Sequence, residues 1–207
     1  MAKLQAVTEA VTDKEVAALT QKDKTLADIV ERWGAPPQWR REPGFATLVH
    51  IILEQQVSLA SAQAAFERLV DIASPLTPKT FLELSDEALK GAGFSRQKTR
   101  YGRTLATALV EGNLDLDKLE TLEDNAAKTQ LTQVKGIGNW TADIYLMMAL
   151  GRPDIWPKGD LALAVAAKEL NGLEKRPTQD ELESLAEKWR PYRSSAARLL
   201  WHYYLSR

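Results

Sequence analysis

The stretch LTQVKGIGNWTAD, residues 131–143, places two glycines between segments that otherwise have the apolar spacing of helices. This spacing predicts one helix around 123–133 and a second, almost wholly apolar helix over 139–150. A tight Gly-x-Gly turn between two helices exposes backbone N–H groups at the start of the second helix, where the helix dipole also favours an anion. A Cβ at Gly136 or Gly138 would obstruct positive φ and the close approach of a ligand backbone. The turn is therefore either a phosphate-binding nest or a plain connection between helices.

Helical spacing continues on both sides of this turn, and no run has the β-branched alternation or turn signals of strands. Residues that commonly begin helices stand before apolar stripes; they are Ser58, Thr77, Ser85, Ser95, Asp160, Thr178 and Pro191. Neither a repeat of fixed period nor a long linker divides the chain. The sequence predicts an all-α protein of roughly ten helices in a single domain over residues 1–207.

The composition excludes several kinds of chemistry. The 207 residues include no cysteine and 2 histidines, which excludes disulfides, thiolate catalysis and cysteine-held zinc or iron–sulfur clusters, and disfavours a histidine metal site. No stretch approaches the roughly 20 apolar residues of a membrane span, so we expect a cytoplasmic protein that binds no membrane. The net charge of −1 argues mildly against a nucleic-acid partner. A nest of backbone amides, however, can hold a phosphate without net positive charge.

The hairpin stretch is one of several motifs that match a known family in order along the chain. The others are ILEQQVS at 52–58, GFSRQKTRYGRTLA at 93–106, IWPKGD at 155–160 and WRPYRSSAARLLW at 189–201. Together they resemble the helix-hairpin-helix DNA glycosylase superfamily, and within it the AlkA-type 3-methyladenine DNA glycosylases, here without their additional N-terminal β-rich domain. The resemblance implies two packed helical lobes with a cleft between them, as subdomains of the single domain.

The resemblance assigns catalysis to Asp160, which stands 22 residues after Gly138. In this family an aspartate follows the hairpin at such a spacing and faces the positive charge that develops on the sugar as the glycosidic bond breaks. The aspartate could also orient or deprotonate the attacking water. Asp160 also precedes an apolar helix, where aspartate is a good N-cap, and the two roles are compatible.

Trp140 decides the reaction type that we expect. Lyase-competent branches of the superfamily carry a lysine at the second position after the second hairpin glycine, and this lysine attacks the sugar through a Schiff base. The present chain has Trp140 at that position, and Lys135 precedes the glycines. The resemblance therefore implies a monofunctional glycosylase that leaves an abasic site in an uncut strand.

The expected substrates are purines alkylated at a ring nitrogen, such as 3-methyladenine and 7-methylguanine, which carry a positive charge. An aromatic face attracts such a cation by roughly 1–2 kcal/mol once water is removed. The resemblance implies a base pocket formed by Trp140, Trp201 and Tyr145, with core packing as the alternative role of each ring. Ile144 stands where some relatives have a pocket tyrosine, so the breadth of substrates stays open.

The resemblance also implies which residues contact double-stranded DNA. They are Gln55, Gln56, Ser58, Lys135, Gly136, Ile137, Gly138 and Lys158. Of the two glutamines, Gln56 is expected to face the gap left by the extruded base, whereas Ser58 is expected to serve mainly as a helix cap. The backbone carbonyls of Val134 and Ile137 are candidates for holding a structural Na⁺ or K⁺, and no other cofactor is required.

Two other functions stay open at this point. A helix-hairpin-helix protein could bind DNA without catalysis, although an intact Asp160 at the expected spacing speaks against this. A glycosylase of the same fold could instead act on deaminated or mismatched bases, and the missing cysteines disfavour its iron–sulfur branches. We expect a monomer, associated with the nucleoid, that acts in base excision repair on DNA containing alkylated bases.

Overall fold

Residues 14–207 are described in the computed structural model, and this part of the chain contains helices and no strands. The α-helices are α1 (14–22), α2 (Lys24–Trp33), α3 (Phe45–Glu54), α4 (Leu59–Ile72), α5 (Pro78–Glu83), α6 (Asp86–Gly91), α7 (Arg96–Val110), α8 (Leu116–Leu119), α9 (Asp124–Thr132), α10 (Asn139–Met148), α11 (Leu161–Leu170), α12 (Gln179–Ala186) and α13 (Arg193–Ser206). A 3-10 helix, Glu187–Trp189, stands between α12 and α13. The prediction of an all-α chain is confirmed, although α1 and the short α8 were not predicted.

The helices form two compact units. Unit 1 joins the described residues of Met1–Arg40 with Gly151–Arg207, whereas unit 2 is the continuous segment Arg41–Leu150. The predicted hairpin at 131–143 therefore lies within unit 2, and Asp160 lies within unit 1.

Side-chain caps begin helices at the predicted positions. The caps are Ser58 for α4, Thr77 for α5, Ser85 for α6, Ser95 for α7, Asp160 for α11 and Thr178 for α12. Each side chain accepts a hydrogen bond from the N–H of the third helical residue, a donor that a helix start otherwise leaves unpaired. The prediction that Pro191 begins the last helix is wrong, because Tyr192 N–H donates to Trp189 O at 2.8 Å and this turn holds Pro191 outside α13.

Helices α3 and α10 form the centre of unit 2. Their sequences, FATLVHIILE and NWTADIYLMM, are apolar on almost every face, which is typical of helices surrounded by other helices. α3 packs against α4, α7 and α10, and α10 packs against α9. Glu54, at the end of α3, is buried, and its carboxylate accepts hydrogen bonds from Arg41 at 2.6 and 3.2 Å. This two-point contact satisfies the charge that α3 buries.

Helix α13 is the central helix of unit 1 and packs against α2 and α11. Buried polar groups attach it to α1, since the fully buried Ser195 donates to Glu15 and accepts from Arg198 at 2.7 Å. Asp23 caps α2 and also accepts the indole N–H of Trp189 at 2.8 Å. Segments from both ends of the described chain thus share one core.

Between residues 14 and 207 no helix is long and apolar enough to cross a membrane. The same residues contain no group of three or more histidine, aspartate or glutamate side chains that could hold a metal ion.

Candidate functional site

The two glycines of the hairpin between α9 and α10 have different roles. Gly136 has a φ of +108°, and a Cβ on it would lie 2.3 Å from Cγ of Tyr101 on α7. Gly138 has a φ of −86° and a ψ of 178°, and a Cβ on it would meet no atom within 4 Å. The prediction of positive φ is therefore wrong for Gly138, because the chain has completed its turn at Gly136 and enters α10 from an extended conformation. The absence of a side chain at Gly138 leaves the backbone there open to approach.

Side chains of unit 2 hold the turn from the inside. Ile137 is 3% exposed, and its N–H donates to the carbonyl of Val134 at 2.9 Å. Gln55, at the end of α3, donates its side-chain amide to Gly136 O and to Thr141 Oγ1, both at 2.9 Å. Gln55 therefore supports the hairpin directly, which is a structural function that the sequence did not reveal.

The hairpin surface carries backbone donors and a cation. Among residues 14–207 no side chain caps the N-terminus of α10, whereas a carboxylate caps that of α11. Lys135 is exposed and forms no ion pair within residues 14–207. A helix N-terminus with the dipole directed at solvent and an adjacent ammonium group can bind a phosphate.

An ion pair between Lys128 and Asp143 ties α9 to α10. The lysine Nζ lies 2.7 Å from Oδ1 and 2.9 Å from Oδ2, and the aspartate side chain is 2% exposed. A carboxylate buried to this extent requires a charged partner. The pair therefore fixes the two helices on either side of the glycine turn.

The connection between α3 and α4, which we call the glutamine tip (residues 55–58), is fixed at its base and exposed at its end. Gln56 is exposed and has a φ of +58°, an uncommon value for a residue with a side chain. Val57, which follows it, is 46% exposed. At the base, Lys98 donates from α7 to the carbonyl of Leu53 at 2.6 Å, and burial lowers the pKa of this lysine.

The three aromatic side chains predicted to form the base pocket have different surroundings. Trp140 is partly exposed near the start of α10, in unit 2. Tyr145 is fully buried in unit 2; burial raises its pKa, while the hydrogen bond that its hydroxyl accepts from Gly44 N–H at 3.0 Å acts in the opposite direction. Ile144, also on α10, is 2% exposed. The burial of Tyr145 is explained by its packing in the core of unit 2. Its predicted role in the base pocket gains no support from this position.

The carboxylate of Asp160 is held by two donors in unit 1. Its Oδ1 accepts the backbone N–H of Leu163 at 2.9 Å and the indole N–H of Trp201 at 3.1 Å. Trp201 comes from α13 and is 8% exposed. The two residues that the family resemblance named for catalysis and for the pocket are therefore in direct contact. Lys158, on the same loop, has its charge matched by Glu183 at 3.0 Å.

Trp39 extends this cluster, and the sequence did not single it out. Its ring meets that of Trp201 edge to face, with 6.3 Å between centroids and 75° between planes. It has a φ of +45°, which is strained for a bulky residue. No periodicity could have identified Trp39, because it lies in the irregular segment before α3.

Residues 49–191 match the family model described as the HhH-GPD superfamily base excision DNA repair protein. DNA-3-methyladenine glycosylase 1 of Schizosaccharomyces pombe is 27% identical over 190 residues, which are 90% of this chain and 83% of that protein. YfjP of Bacillus subtilis, also named for DNA-3-methyladenine glycosylase, is 29% identical over 86% of this chain. The chain spans 64% of the length of YfjP.

Two solved structures share the fold over almost the full chain. The 3-methyladenine DNA glycosylase Mag1 of Schizosaccharomyces pombe, in complex with abasic DNA, matches with a TM-score of 0.85 and 28% identity, over 91% of this chain and 95% of Mag1. The DNA-3-methyladenine glycosidase of Bacillus halodurans matches with a TM-score of 0.76 and 33% identity, over 93% of this chain and 89% of that protein.

Proposed function

This chain belongs to the HhH-GPD superfamily of base excision DNA repair proteins, and from that premise we propose that it is a monofunctional DNA N-glycosylase. It binds double-stranded DNA as a monomer and extrudes an alkylated purine of the 3-methyladenine or 7-methylguanine type. It then hydrolyses the N-glycosidic bond and leaves an abasic site. A relative named DNA-3-methyladenine glycosylase, at 27% identity, and one named DNA-3-methyladenine glycosidase, at 33% identity, support this substrate class. The nucleoid is where such a protein would act.

The fixed carboxylate of Asp160 carries this proposal. Backbone and indole N–H groups bind one of its oxygens, Oδ1, at 2.9 and 3.1 Å. A carboxylate that is already oriented can stabilise a developing positive charge without reorganising during the reaction. An N-cap needs only the bond to Leu163, and the second donor, from Trp201, supports the proposal because it orients the same carboxylate.

The chemistry follows from the charge of the substrate. An enzyme that acts on a base in a duplex must first extrude the nucleotide from the stack. The bond between the sugar and the base nitrogen then breaks, its electron pair leaves with the base, and a cationic alkylated base departs as a neutral molecule. The sugar becomes oxocarbenium-like, and we assign its stabilisation to Asp160. Water adds to the sugar and loses its proton either to this carboxylate or to solvent.

We assign the aromatic rings separate functions. Trp201 donates to Asp160 and is mostly buried, so its main proposed function is to orient that carboxylate. The partly exposed Trp140 keeps its predicted function of contacting the cationic base through its ring face. Trp140 also occupies the position of the lyase nucleophile, which supports hydrolysis without strand cleavage.

We assign the grip on DNA to the hairpin and the glutamine tip. The uncapped start of α10, the open backbone at Gly138 and the exposed Lys135 fit a phosphate. Gln56 is the better placed glutamine for the gap left by the base, because Gln55 is bound to the hairpin.

A monovalent cation fits the turn that precedes α10. Carbonyl oxygens are neutral, hard ligands of the kind that Na⁺ and K⁺ accept. Within residues 14–207 no backbone N–H donates to Ile137 O, while Val134 O accepts one such bond, at 2.9 Å. We propose these two carbonyls as ligands of Na⁺ or K⁺, whose contribution would be to attract a DNA phosphate to the turn.

The experiment that tests this function measures free bases released from methylated double-stranded DNA. We expect 3-methyladenine and 7-methylguanine to be released by the wild-type chain, and Asp160→Asn to slow release by roughly 100- to 1000-fold. Wild-type activity in the asparagine variant would contradict the catalytic assignment. DNA binding without any base release by the wild type would instead favour the non-catalytic DNA-binding alternative.

The monofunctional assignment has its own measurement. On a duplex with a single damaged base, the wild-type product should be cut only after heat or alkali has been applied to the abasic site. Strand breaks formed by the untreated enzyme would contradict the assignment. Trapping with borohydride should yield no covalent complex for the wild type, because no lysine stands at position 140.

A further inference from the structure

A groove in unit 1 is lined by cations that have no acidic partner in the described part of the chain. It lies between α11 and the segment that leads into α12, and its volume is about 580 Å³. Its charged lining residues are Asp160, Lys168, Lys175 and Arg176. None of the three cations forms an ion pair with any residue in the described range 14–207. The nearby Lys158, by contrast, pairs with Glu183 at 3.0 Å.

The groove has a defined end beside the proposed catalytic residue. Gly159 has a φ of +83°, and a Cβ there would lie 3.2 Å from the side-chain amide nitrogen of Gln179 on α12. Both residues line the groove together with Asp160. The glycine therefore allows the loop before α11 and the start of α12 to approach each other closely at this end.

The dimensions of the groove suit an extended anion. Asp160 and Lys168 are eight positions apart along α11, which corresponds to roughly 12 Å at about 1.5 Å per residue. Phosphates of one DNA strand repeat at roughly 3.4 Å along the duplex axis. A groove of this length therefore accommodates about three successive phosphates, and its cations come from α11 and from the segment before α12.

We propose that this groove binds the phosphodiester backbone of the damaged DNA strand, on one side of the extruded nucleotide. Lys168, Lys175 and Arg176 contact the phosphates, and Asp160 marks the end at which the damaged nucleotide lies. This inference rests on the proposed function, because that function places the sugar of the damaged nucleotide at Asp160. The hairpin is in unit 2, so the groove is a second and separate phosphate site.

The test compares two double variants of equal charge. Lys175→Ala/Arg176→Ala removes two groove cations, and Lys22→Ala/Lys24→Ala removes two exposed cations of unit 1 that do not line the groove. The dissociation constant for a duplex with an abasic-site analogue is measured by fluorescence anisotropy at several salt concentrations. Each lost phosphate contact should reduce the magnitude of the slope of log K against log salt by about 0.9. The slope of the groove variant, which loses two contacts, should therefore be smaller by about 2 than that of the wild type.

Flank length locates the contact on the DNA. Duplexes shortened by three base pairs on one side or the other of the analogue should bind the wild type unequally. The groove variant should show a smaller difference between the two duplexes than the wild type, because it has lost two of the contacts that distinguish the flanks. Lys168→Ala should give a smaller change of the same kind, and the Lys22/Lys24 control should retain the wild-type flank preference.

Several outcomes would overturn the assignment. An unchanged salt slope in the groove variant, or equal losses in the two double variants, would exclude a strand contact. If inorganic phosphate displaces DNA from the wild type but not from the groove variant, and binding does not depend on flank length, the groove is a small-anion site instead. If the alanine variant unfolds, Lys175→Gln/Arg176→Gln is measured in its place.

Failure of the proposed function would look different. Binding can be measured whether or not bases are released. If the salt slope depends on the groove cations but no base is released, the groove proposal holds and the glycosylase proposal is contradicted. If bases are released but the salt slope does not depend on the groove cations, the glycosylase proposal holds and the groove proposal is contradicted.

Discussion

The contact between Asp160 and Trp201 joins two residues that are 41 positions apart in the sequence. Asp160 could have been a helix cap alone, and Trp201 could have been a core residue alone. The indole N–H of Trp201 connects the two residues directly, because it binds the carboxylate oxygen that also caps α11. Hydrogen bonds to charged groups contribute about 1.5–3 kcal/mol when they are well formed.

Replacing Trp201 with phenylalanine should therefore slow base release. The variant keeps an aromatic ring but lacks the N–H donor, and a loss of about 1.5–3 kcal/mol corresponds to roughly 10- to 100-fold in rate. Single-turnover base release measures this loss. Trp156→Phe is the control, since Trp156 is a buried tryptophan of unit 1 whose ring packs against that of Trp189 at an interplanar angle of 42°. Equal losses in both variants would mean that packing, and not the donor, is what matters.

The two hairpin glycines should respond differently to alanine. Gly136→Ala should lower the melting temperature by several degrees, because its φ is +108° and the new Cβ would lie 2.3 Å from Tyr101. Gly138→Ala should leave the melting temperature nearly unchanged, because its Cβ meets no atom within 4 Å. It should nevertheless weaken DNA binding if the backbone there touches a phosphate. Equal stability of both variants would contradict the conformational difference.

Single residues could be predicted where a local pattern defined them. The apolar helix after Asp160 predicts that this residue is a cap, which the structure confirms. Its catalytic role, which rests on the family spacing after the hairpin, stays a prediction. Gln55 and Trp39 could not be interpreted in this way. The partners of Gln55, Gly136 and Thr141, lie more than 80 positions away, and Trp39 belongs to no periodic segment.

At the scale of elements, the hairpin depends on the ion pair that connects α9 to α10. Asp143→Asn should lower the free energy of unfolding by somewhat less than the roughly 3–5 kcal/mol of a fully buried pair, because Lys128 is 27% exposed. Urea denaturation followed by circular dichroism measures the change. Asp71→Asn, at an exposed aspartate of unit 2, should have little effect on the free energy of unfolding. A similar loss in this variant would contradict the importance of the Lys128–Asp143 pair for stability.

Helix starts were easier to predict than helices themselves. A serine, threonine or aspartate before an apolar stripe is a local signal, and the caps of α4, α7 and α11 stand where it placed them. α8 has four residues, too few for any periodicity. The helix that begins at Thr178 ends at Ala186 and is followed by a 3-10 helix, a distinction that depends on how the last turn packs.

At the scale of the whole molecule, each unit contains a group whose pKa is lowered, the half-buried His50 in unit 2 and the buried Asp23 in unit 1. In unit 2, burial lowers the pKa of His50 from its ordinary 6.5. The charge of Glu54 raises this pKa, whereas the charge of Arg41 lowers it further. In unit 1, burial opposes the ionisation of Asp23, but hydrogen bonds from Lys188 and Trp189 outweigh it and lower the pKa below 3.8. For both groups the unfolded chain binds the proton more readily, so stability falls as pH falls through the lowered pKa.

We expect two separate acid-dependent losses of thermal stability. His50→Phe keeps a ring stacked on Phe66, 4.3 Å away in the wild type, and should reduce the loss that begins below pH 6.5. Asp23→Asn should reduce the loss that begins below pH 3.8 and should lower stability above it. Melting temperatures from pH 3 to pH 8 measure both effects. A profile unchanged by His50→Phe would contradict the first.

The division into units was not predictable from local patterns. No linker, repeat or shift in composition marks residue 40 or residue 150. α2 and α13 become neighbours through the apolar residues that each buries, among them Leu26, Ile29 and Leu199. Such pairing depends on which surfaces complement each other in space, and a single sequence contains little information about that.

In the sequence, unit 2 lies between the two segments of unit 1, and this order has a consequence for biosynthesis. A ribosome completes Arg41–Leu150 as one uninterrupted segment, so the hairpin can fold while translation continues. α2 must wait for α13, about 160 residues later, which is roughly 8–30 s at ordinary elongation rates. Since α13 also supplies Trp201, a nascent chain completes the hairpin proposed to bind DNA well before Asp160 receives its hydrogen bond from Trp201.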